Sequence, residues 1–225
     1  SRTVQNADAD YKATEQSSTN GWNDFWTAGG AIDFSGCTDP RAKELERRVV
    51  LSQYLTRIQS AGSMPPQETG LTMNSWFGKF HLEMHWWHAT HFALWNRPGL
   101  LEKSMPWYDQ VMQKAKATAQ WQGYRGARWQ KMTDPEGNES PSGVGAFIIW
   151  QQPHPIYFAE LLYRSDPSEA TLLKYKDLVF NTADFMASFV KLKDGKYHLC
   201  HPLIPAQEIF KATDTDDPAY ELQYW

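Results

Sequence analysis

Helical periodicity is clearest in the stretch TDPRAKELERRVVLSQYLTRIQSAG, residues 38–62. Large apolar side chains recur there every three or four residues: Leu45, Val49, Leu51, Tyr54, Leu55 and Ile58. This spacing places them on one face of an α-helix. Asp39 and Pro40 suit an N-cap and a first helical turn, and Gly62 suits the end of a helix. The stretch therefore predicts a helix over residues 40–61.

The same pattern predicts four more long helices, whereas strand signals are scarce. The predicted helices cover about residues 81–95, 100–121, 153–164 and 167–191. An all-α fold follows. Short connections alternate with three long ones, at 62–80, 122–150 and 194–225. In a stack of helical hairpins this alternation puts the long loops at one end, where they can form one functional site. The alternative is an ordinary helical bundle with long surface loops.

The composition excludes several classes of partner. The 225 residues carry 22 basic and 26 acidic side chains, so the net charge of -4 predicts neither nucleic acid nor an anionic membrane surface as a partner. No apolar run is long enough for a membrane span. The polar residues 1–20 show no signal peptide and predict a flexible arm. The compartment is left open, with a periplasmic or secreted location compatible, because a signal can be removed.

Cys37 and Cys200 are the two cysteines of the chain. Their spacing supports neither a thiolate zinc site nor a disulfide framework, although one distant bridge is left open. The chain is also rich in aromatic residues, with 11 Trp, 10 Tyr and 11 Phe. Because the mean hydropathy is nevertheless negative, so that the chain is hydrophilic on average, we expect some of these rings to line a solvent-filled cleft.

Residues 74–88, NSWFGKFHLEMHWWH, mix large rings with hydrogen-bonding groups. A pyranose offers apolar C–H faces to a ring and a rim of hydroxyls to polar groups, so this mixture suits sugar binding. Trp76 and Trp86, together with Trp129 and His154, are candidate sugar contacts. The alternative for each ring is a place in the core.

Three histidines in this stretch suggest a different chemistry. His81, His85 and His88 fall at helical spacings i, i+4 and i+7, so their imidazoles can share one helix face and bind a metal. Because no second segment offers a matching ligand motif, the preferred prediction has no metal and no cofactor. A metal-dependent helical enzyme remains an alternative.

Further polar candidates lie in the other two long loops. Residues 123–129, GYRGARW, place Arg128 where a guanidinium group can bond carboxylates or vicinal hydroxyls. Glu208 lies among mostly apolar neighbours. Desolvation by such neighbours favours a protonated carboxyl, as a general acid requires. The alternatives are a structural arginine and a rim glutamate.

Three segments resemble the central catalytic domain of glycoside hydrolase family 65 and its six-hairpin relatives. Residues 78–85 resemble the family segment G-x-x-F-W-D-T-E, residues 123–129 match G-Y-R-G-A-R-[WF], and residues 205–209 resemble G-P-D-E-Y. The resemblance implies an (α/α)6 barrel and an inverting hydrolase, or a related phosphorylase, acting on α-glucoside-like bonds. It spans roughly residues 70–225.

The resemblance also implies residue roles. Glu208 takes the position of the general acid, and Glu83 that of an aspartate that binds the terminal sugar of the substrate. Arg128 and His81 are expected to bind that sugar as well. Glu83 stands for Asp, His85 for Glu and Gln207 for Asp, so the sugar contacts are expected to differ from those of the family.

Five long helices make about half of a twelve-helix barrel, so we expect residues 38–225 to be a partial catalytic domain preceded by an N-terminal arm and lead-in segment over residues 1–37. The resemblance places the general base downstream of the acid, outside this chain. A carbohydrate is the expected substrate, and the remainder of the same polypeptide or a second copy is the expected protein partner. A non-catalytic carbohydrate-binding helical protein is the alternative.

Overall fold

The computed structural model describes residues 10–225 except Thr72. Helices dominate this part of the chain, and the predicted all-α class is confirmed. The helices are α1 (Tyr11–Thr27), α2 (Ala42–Ser60), α3 (Leu82–Leu94), α4 (Pro98–Glu102), α5 (Pro106–Gln110), α6 (Met112–Trp121), α7 (His154–Ser165), α8 (Glu169–Phe189) and α9 (Ala219–Tyr224). Two short antiparallel pairs join β1 (Phe80–His81) to β2 (Met132–Thr133) and β3 (Lys191–Lys193) to β4 (Lys196–His198).

Four of the five predicted helices are found within a few residues of their expected ends, as α2, α3, α7 and α8. The predicted helix over residues 100–121 is instead divided into α4, α5 and α6. Pro106 opens α5 because it has no N–H to donate to a preceding turn. Ser168 caps α8 by accepting a hydrogen bond from the Thr171 N–H.

Residues 11–20 are helical, which corrects the expectation of a flexible arm there; residues 1–9 lie outside the described part of the chain. The Asp10 carboxylate caps α1 by accepting the Ala13 N–H at 2.7 Å. Trp22 stacks on Tyr54 of α2 with ring centroids 4.8 Å apart, and the Arg57 guanidinium lies 4.1 Å from the Trp22 ring. These contacts attach α1 to α2.

The main core lies between α3, α4 and α7, with α8 covering α7. Its largest buried apolar side chains come from these helices, from α5 and, for Trp129, from the second long connection: Leu82, Phe92, Leu101, Trp107, Tyr108, Trp129, Phe158, Leu161 and Leu178. Each large apolar side chain buried in this way contributes about 1.5–3 kcal/mol. The core therefore fixes the start of α3 against the start of α7.

The three long connections meet one another, as the alternation of loop lengths predicts. Gln67 of the first connection bridges to Phe80, and β1 pairs with β2, which belongs to the second. Ile148 of the second connection bridges to Ile204 of the third. Polar groups from all three loops are thus brought close together.

Within residues 10–225, Thr72 aside, none of the helices combines the length and apolar character needed to cross a membrane. Cys37 is an exposed free thiol and Cys200 a buried one, so they do not form the bridge that the sequence left open.

Candidate functional site

Two carboxylates from distant parts of the chain meet at one ammonium group. Lys131 Nζ lies 3.3 Å from Glu83 Oε1 and forms a closer ion pair with Glu208 Oε1. Glu83 stands in the first turn of α3, Lys131 directly before β2, and Glu208 in the third long connection. We call Glu83, Lys131 and Glu208 the carboxylate cluster. The structure thus brings together the two carboxylates singled out in the sequence.

Backbone pairing explains why Glu83 and Lys131 are neighbours. His81 pairs with Met132 across β1 and β2, and the Leu82 N–H donates to the Lys131 carbonyl oxygen at 2.9 Å. The start of α3 is thereby tied to the second long loop. A carboxylate in the first helical turn also interacts favourably with the helix dipole.

The environment of Glu83 brings the pKa of its carboxyl close to neutral pH. Burial raises the pKa of Glu83 to about 7, although the nearby Lys131 ammonium acts to lower it. The negative charges of Glu208 and Glu68 add to the rise. For Lys131, burial lowers the pKa, but the hydrogen bond to Glu208 and the two carboxylate charges outweigh it, so the pKa is raised overall. The cluster thus contains a carboxyl suited to proton transfer.

Glu208 is held in an uncommon backbone conformation, with a φ of 59°. Such a left-handed φ is costly for a residue with a side chain, and it occurs preferentially at functional sites. The Glu208 N–H donates to the Pro205 carbonyl oxygen at 2.9 Å, and the Ala206 N–H donates to the buried Glu221 carboxylate at 2.7 Å. These bonds fix the turn that presents Glu208.

The expected desolvation of Glu208 is not observed. Its side chain keeps 34% of its area exposed, and its apolar neighbours Ile209 and Phe210 point mainly into solvent. Glu83 is instead the buried carboxyl of the pair. The apolar sequence neighbours of Glu208 predicted the wrong buried carboxyl, because burial at this site depends on tertiary packing around α3.

Glu68 and His81 lie at the edge of the carboxylate cluster. His81 is buried, its Nδ1–H donates to the Lys79 carbonyl oxygen at 3.0 Å, and its Nε2 lies 3.9 Å from the Glu68 carboxylate. Burial lowers the pKa of His81. A neutral imidazole and a third carboxylate therefore adjoin Glu83 and Glu208. No motif in the sequence distinguishes Glu68 from the other carboxylates of the long loops.

The loop of residues 123–129 is a structural support, which corrects its expected role in sugar contact. Gly126 has a φ of 70°, and a Cβ there would lie 2.2 Å from the Asn181 carbonyl oxygen of α8. Arg128 is only 2% exposed and donates to the carbonyl oxygens of Trp129 and Ile148 at 2.8 and 2.5 Å. A sugar cannot reach a guanidinium group enclosed in this way.

Trp129 is also buried, and its hydrogen-bonding groups, like those of Arg128, are paired within the protein. Its indole N–H donates to Thr182 Oγ1 of α8 at 2.8 Å, and its backbone N–H donates to Gln152 Oε1 at 2.9 Å. Its predicted contact with a sugar therefore does not fit its position. The anchored loop instead carries Lys131, two residues further along, to the carboxylate cluster.

The remaining predicted sugar contacts differ in how far they are exposed to solvent. Trp76 is exposed in a turn with a φ of 48°. Trp86 is partly buried and stacks on Tyr157 at 6.0 Å. His154 is buried; its Nε2–H donates to the Glu83 carbonyl oxygen at 3.0 Å and its Nδ1 accepts from the Tyr224 hydroxyl at 2.9 Å. His154 thus supports the backbone of Glu83 and, being covered, corrects the expectation of direct sugar contact.

The histidine stripe of α3 is occupied by protein partners. Tyr108 donates its hydroxyl to His85 Nδ1 at 2.8 Å, and His85 Nε2–H donates to Ser104 Oγ at 3.1 Å. Ser104 in turn donates to the Leu101 carbonyl oxygen, which fixes these roles. His88 Nε2 binds the Glu68 carbonyl oxygen at 2.8 Å. Among the residues that the structure describes, no three His, Cys, Asp or Glu side chains are grouped as metal ligands.

Comparison of the sequence with protein-family models and with curated proteins finds no match. The resemblance to glycoside hydrolase family 65 therefore stays a prediction based on three short segments. A function for the chain has to be argued from the geometry of the carboxylate cluster.

Proposed function

We propose that the chain carries part of the active site of a glycoside hydrolase with an (α/α)6 six-hairpin fold. The meeting of Glu83 and Glu208 on Lys131 is the observation that supports this proposal most. These are the two carboxylates whose positions correspond to functional residues in the family resemblance. The alternation of helices with short and long connections, with the long ones meeting near the start of α3, is also what a series of helical hairpins requires.

The proposed chemistry is proton transfer to a glycosidic oxygen. Glu208 donates a proton to the leaving oxygen, and Glu83 binds hydroxyls of the sugar whose bond breaks. An inverting enzyme separates its acid and base by about 6.5–9.5 Å, so that a water molecule fits between them. Glu83 and Glu208 share the Lys131 ammonium, and the family resemblance assigns neither of them the role of the base. The base that activates water is therefore a separate group, downstream of the acid.

The burial of Glu83 suggests the opposite assignment within the same pair. A general acid works best with a pKa near the working pH, and the pKa of Glu83 is raised to about 7. In that arrangement Glu83 donates the proton, and Glu208 stabilises positive charge on the sugar. Both assignments use the same two carboxylates, and they predict different mutant kinetics.

Hydrolysis of aryl glycosides with good and poor leaving groups tests the proposal, in a polypeptide extended downstream so that it includes the general base. The acid is needed most when the leaving group is poor, so loss of the acid slows those substrates by about 10²–10⁴ and activated substrates much less. Glu208→Gln should show this pattern if Glu208 is the acid, and Glu83→Gln if the roles are exchanged. Reactions with and without inorganic phosphate distinguish hydrolysis from phosphorolysis.

Glu136→Gln is the matched control, because Glu136 is an exposed carboxylate in the second long connection. It should leave both reactions unchanged. Equal losses on good and poor leaving groups in both cluster variants would contradict a role in protonation. Brisk hydrolysis by the Glu83→Gln, Glu208→Gln double variant would contradict the proposed site altogether.

A non-catalytic carbohydrate-binding protein is a second candidate function. It is favoured by a groove between α3, α7 and α9 whose walls are largely aromatic. Saccharide binding without turnover, unaffected by the substitutions of Glu83 and Glu208, would support this candidate over the hydrolase.

A further inference from the structure

The groove between α3, α7 and α9 has a volume of about 680 Å³, which is in the range of small-molecule binding sites. Five aromatic side chains line it: Trp86, Trp87, Trp150, Tyr220 and Tyr224. Trp87 is 59% exposed, and Tyr220 about half exposed. Large rings are thus presented to solvent on two facing elements.

Trp150 supplies a polar group without a partner. The side chain is buried, and its ring packs 5.1 Å from His154 and 6.0 Å from Tyr220. Among the described residues, its indole N–H finds no hydrogen-bond acceptor. A buried donor left unpaired costs about 1–3 kcal/mol. The nitrogen has almost no accessible surface, so a ligand in the groove contacts the Trp150 ring and not this N–H.

The groove adjoins the carboxylate cluster along α3. Glu83, Trp86 and Trp87 stand at positions i, i+3 and i+4, which share one face of a helix and are about one turn, or 5.4 Å, apart. His154 borders the groove and donates its Nε2–H to the Glu83 carbonyl oxygen. A ligand held at Glu83 can therefore continue into the groove.

The lining favours a neutral ligand. Besides the five rings it consists of Ala219, the Gln223 amide and the His154 imidazole. Burial lowers the pKa of His154 to about 3, so this imidazole is uncharged near neutral pH. Aromatic faces with a few hydrogen-bonding groups match the C–H faces and hydroxyls of a neutral saccharide.

We infer that this aromatic groove binds further sugar units of an oligosaccharide whose reacting unit lies at the carboxylate cluster. The inference rests on the proposed function and extends it, because it makes the substrate a neutral oligosaccharide rather than a simple glycoside. Trp87 and Tyr220 stack on the pyranose rings, and the ring of Trp150 forms the floor between them.

Tryptophan fluorescence and calorimetric titration with maltotetraose, cellotetraose and glucose test the inference in the 225-residue chain. We expect at least one tetrasaccharide to bind more tightly than glucose. Trp87→Ala should weaken that binding about tenfold, the equivalent of about 1.4 kcal/mol. Trp121→Ala is the control, because Trp121 is 83% exposed at the end of α6 and does not line the groove.

Each other outcome overturns the inference. Failure of both tetrasaccharides to bind contradicts it, as does equal affinity of Trp87→Ala, Trp121→Ala and the unchanged chain. A dimer that Trp87→Ala converts to monomer, with no competition by saccharide, would make the groove an interface between copies.

The same titration on Glu208→Gln keeps this inference separate from the proposed function. Binding that depends on Trp87, together with hydrolysis by the extended polypeptide that responds to neither Glu83→Gln nor Glu208→Gln, would retain the groove and reject the proposed hydrolase site. Hydrolysis that responds to Glu208→Gln but not to Trp87→Ala would retain the hydrolase and reject the groove.

Discussion

The carboxylate cluster and the buried polar groups behind it are neighbours with opposite properties. We call His85, Arg128, Gln152 and His154 the polar core. Its hydrogen bonds are largely completed within the protein: both ring nitrogens of His85 and His154 have partners, and both ends of the Gln152 amide do. In the cluster one ammonium serves two carboxylates, one of them on a strained backbone.

This difference separates residues that stabilise the fold from residues free to act on a ligand. Completed buried hydrogen bonds make a rigid support, whereas strain and crowded charge persist only where the surroundings enforce them. We therefore expect substitutions in the polar core to reduce stability, and substitutions in the cluster to reduce function while leaving stability equal or higher.

The largest expected effect is that of Arg128→Met. The change removes the guanidinium donors to the buried carbonyl oxygens of Trp129 and Ile148, each of which then keeps only the Gln151 amide as a donor. We expect the free energy of unfolding, measured with urea at pH 7, to fall by about 3–5 kcal/mol. Arg125→Met is the control: this neighbouring side chain is exposed, and the change should cost less than about 0.5 kcal/mol. Similar losses in both variants would contradict a special role for Arg128.

Acid should destabilise the protein through the polar core. Burial lowers the pKa of His154 to about 3, and it also holds the pKa of His85 well below its ordinary value. The unfolded chain then binds more protons than the folded one below about pH 6.5, so stability is present above that pH and is lost as the pH falls. We expect a loss of about 3 kcal/mol between pH 6.5 and 4 from His154 alone, by urea unfolding.

His154→Gln should flatten this pH dependence, although its stability at pH 7 will be lower. His201→Gln is the control, because His201 is exposed and paired with Asp216. An unchanged slope in His154→Gln would show that His154 is not the group that titrates.

The ionisation of Glu83 should change stability with pH in the opposite direction, and Glu83→Gln tests this. The folded pKa of Glu83 is raised to about 7, so the folded chain binds more protons and stability falls as the pH rises from about 4.5 through 7. Removing this carboxyl should stabilise the protein by about 3 kcal/mol at pH 8, with the gain disappearing near pH 4. Urea unfolding at the two pH values measures the difference. A Glu83→Gln protein less stable than the unchanged chain at pH 8 would mean that the Lys131 pair outweighs the burial cost.

The smallest expected effect concerns the strained backbone at Glu208. Glu208→Gly and Glu208→Gln both remove the ion pair with Lys131, but only glycine adopts a φ of 59° without steric cost. We expect Glu208→Gly to be more stable than Glu208→Gln by about 1 kcal/mol, measured by thermal unfolding. Equal stability of the two variants would show that the turn stores no strain.

Much of the fold could be predicted because helix formation leaves a local pattern. Apolar residues at helical spacing identify α2, α3, α7 and α8. The overlooked helix α1 had such a signal as well, since Trp22, Phe25 and Trp26 stand at i, i+3 and i+4 after the capping residue Asp10. The polar composition of residues 1–20 concealed it.

The candidate site was predictable only in part. Glu83 and Glu208 were found through short motifs, but Lys131 has no local signature, since its pairing with Glu208 spans 77 residues. The motif in residues 123–129 predicts a binding loop, but arginine and aromatic residues suit buried support equally well. Their hydrogen bonds, which depend on residues 148–152 and on α8, decide between the two.

Carbon-13 NMR titration of the glutamate side-chain carboxyls tests most directly whether the carboxylate cluster acts as one coupled site. We predict that Glu83 titrates with a pKa of about 7 and that this pKa falls in Glu208→Gln, because the negative charge of Glu208 helps to raise it. Glu136→Gln should leave it unchanged. A Glu83 carboxyl that titrates near its ordinary value of 4.5 and does not respond to Glu208→Gln would contradict the account.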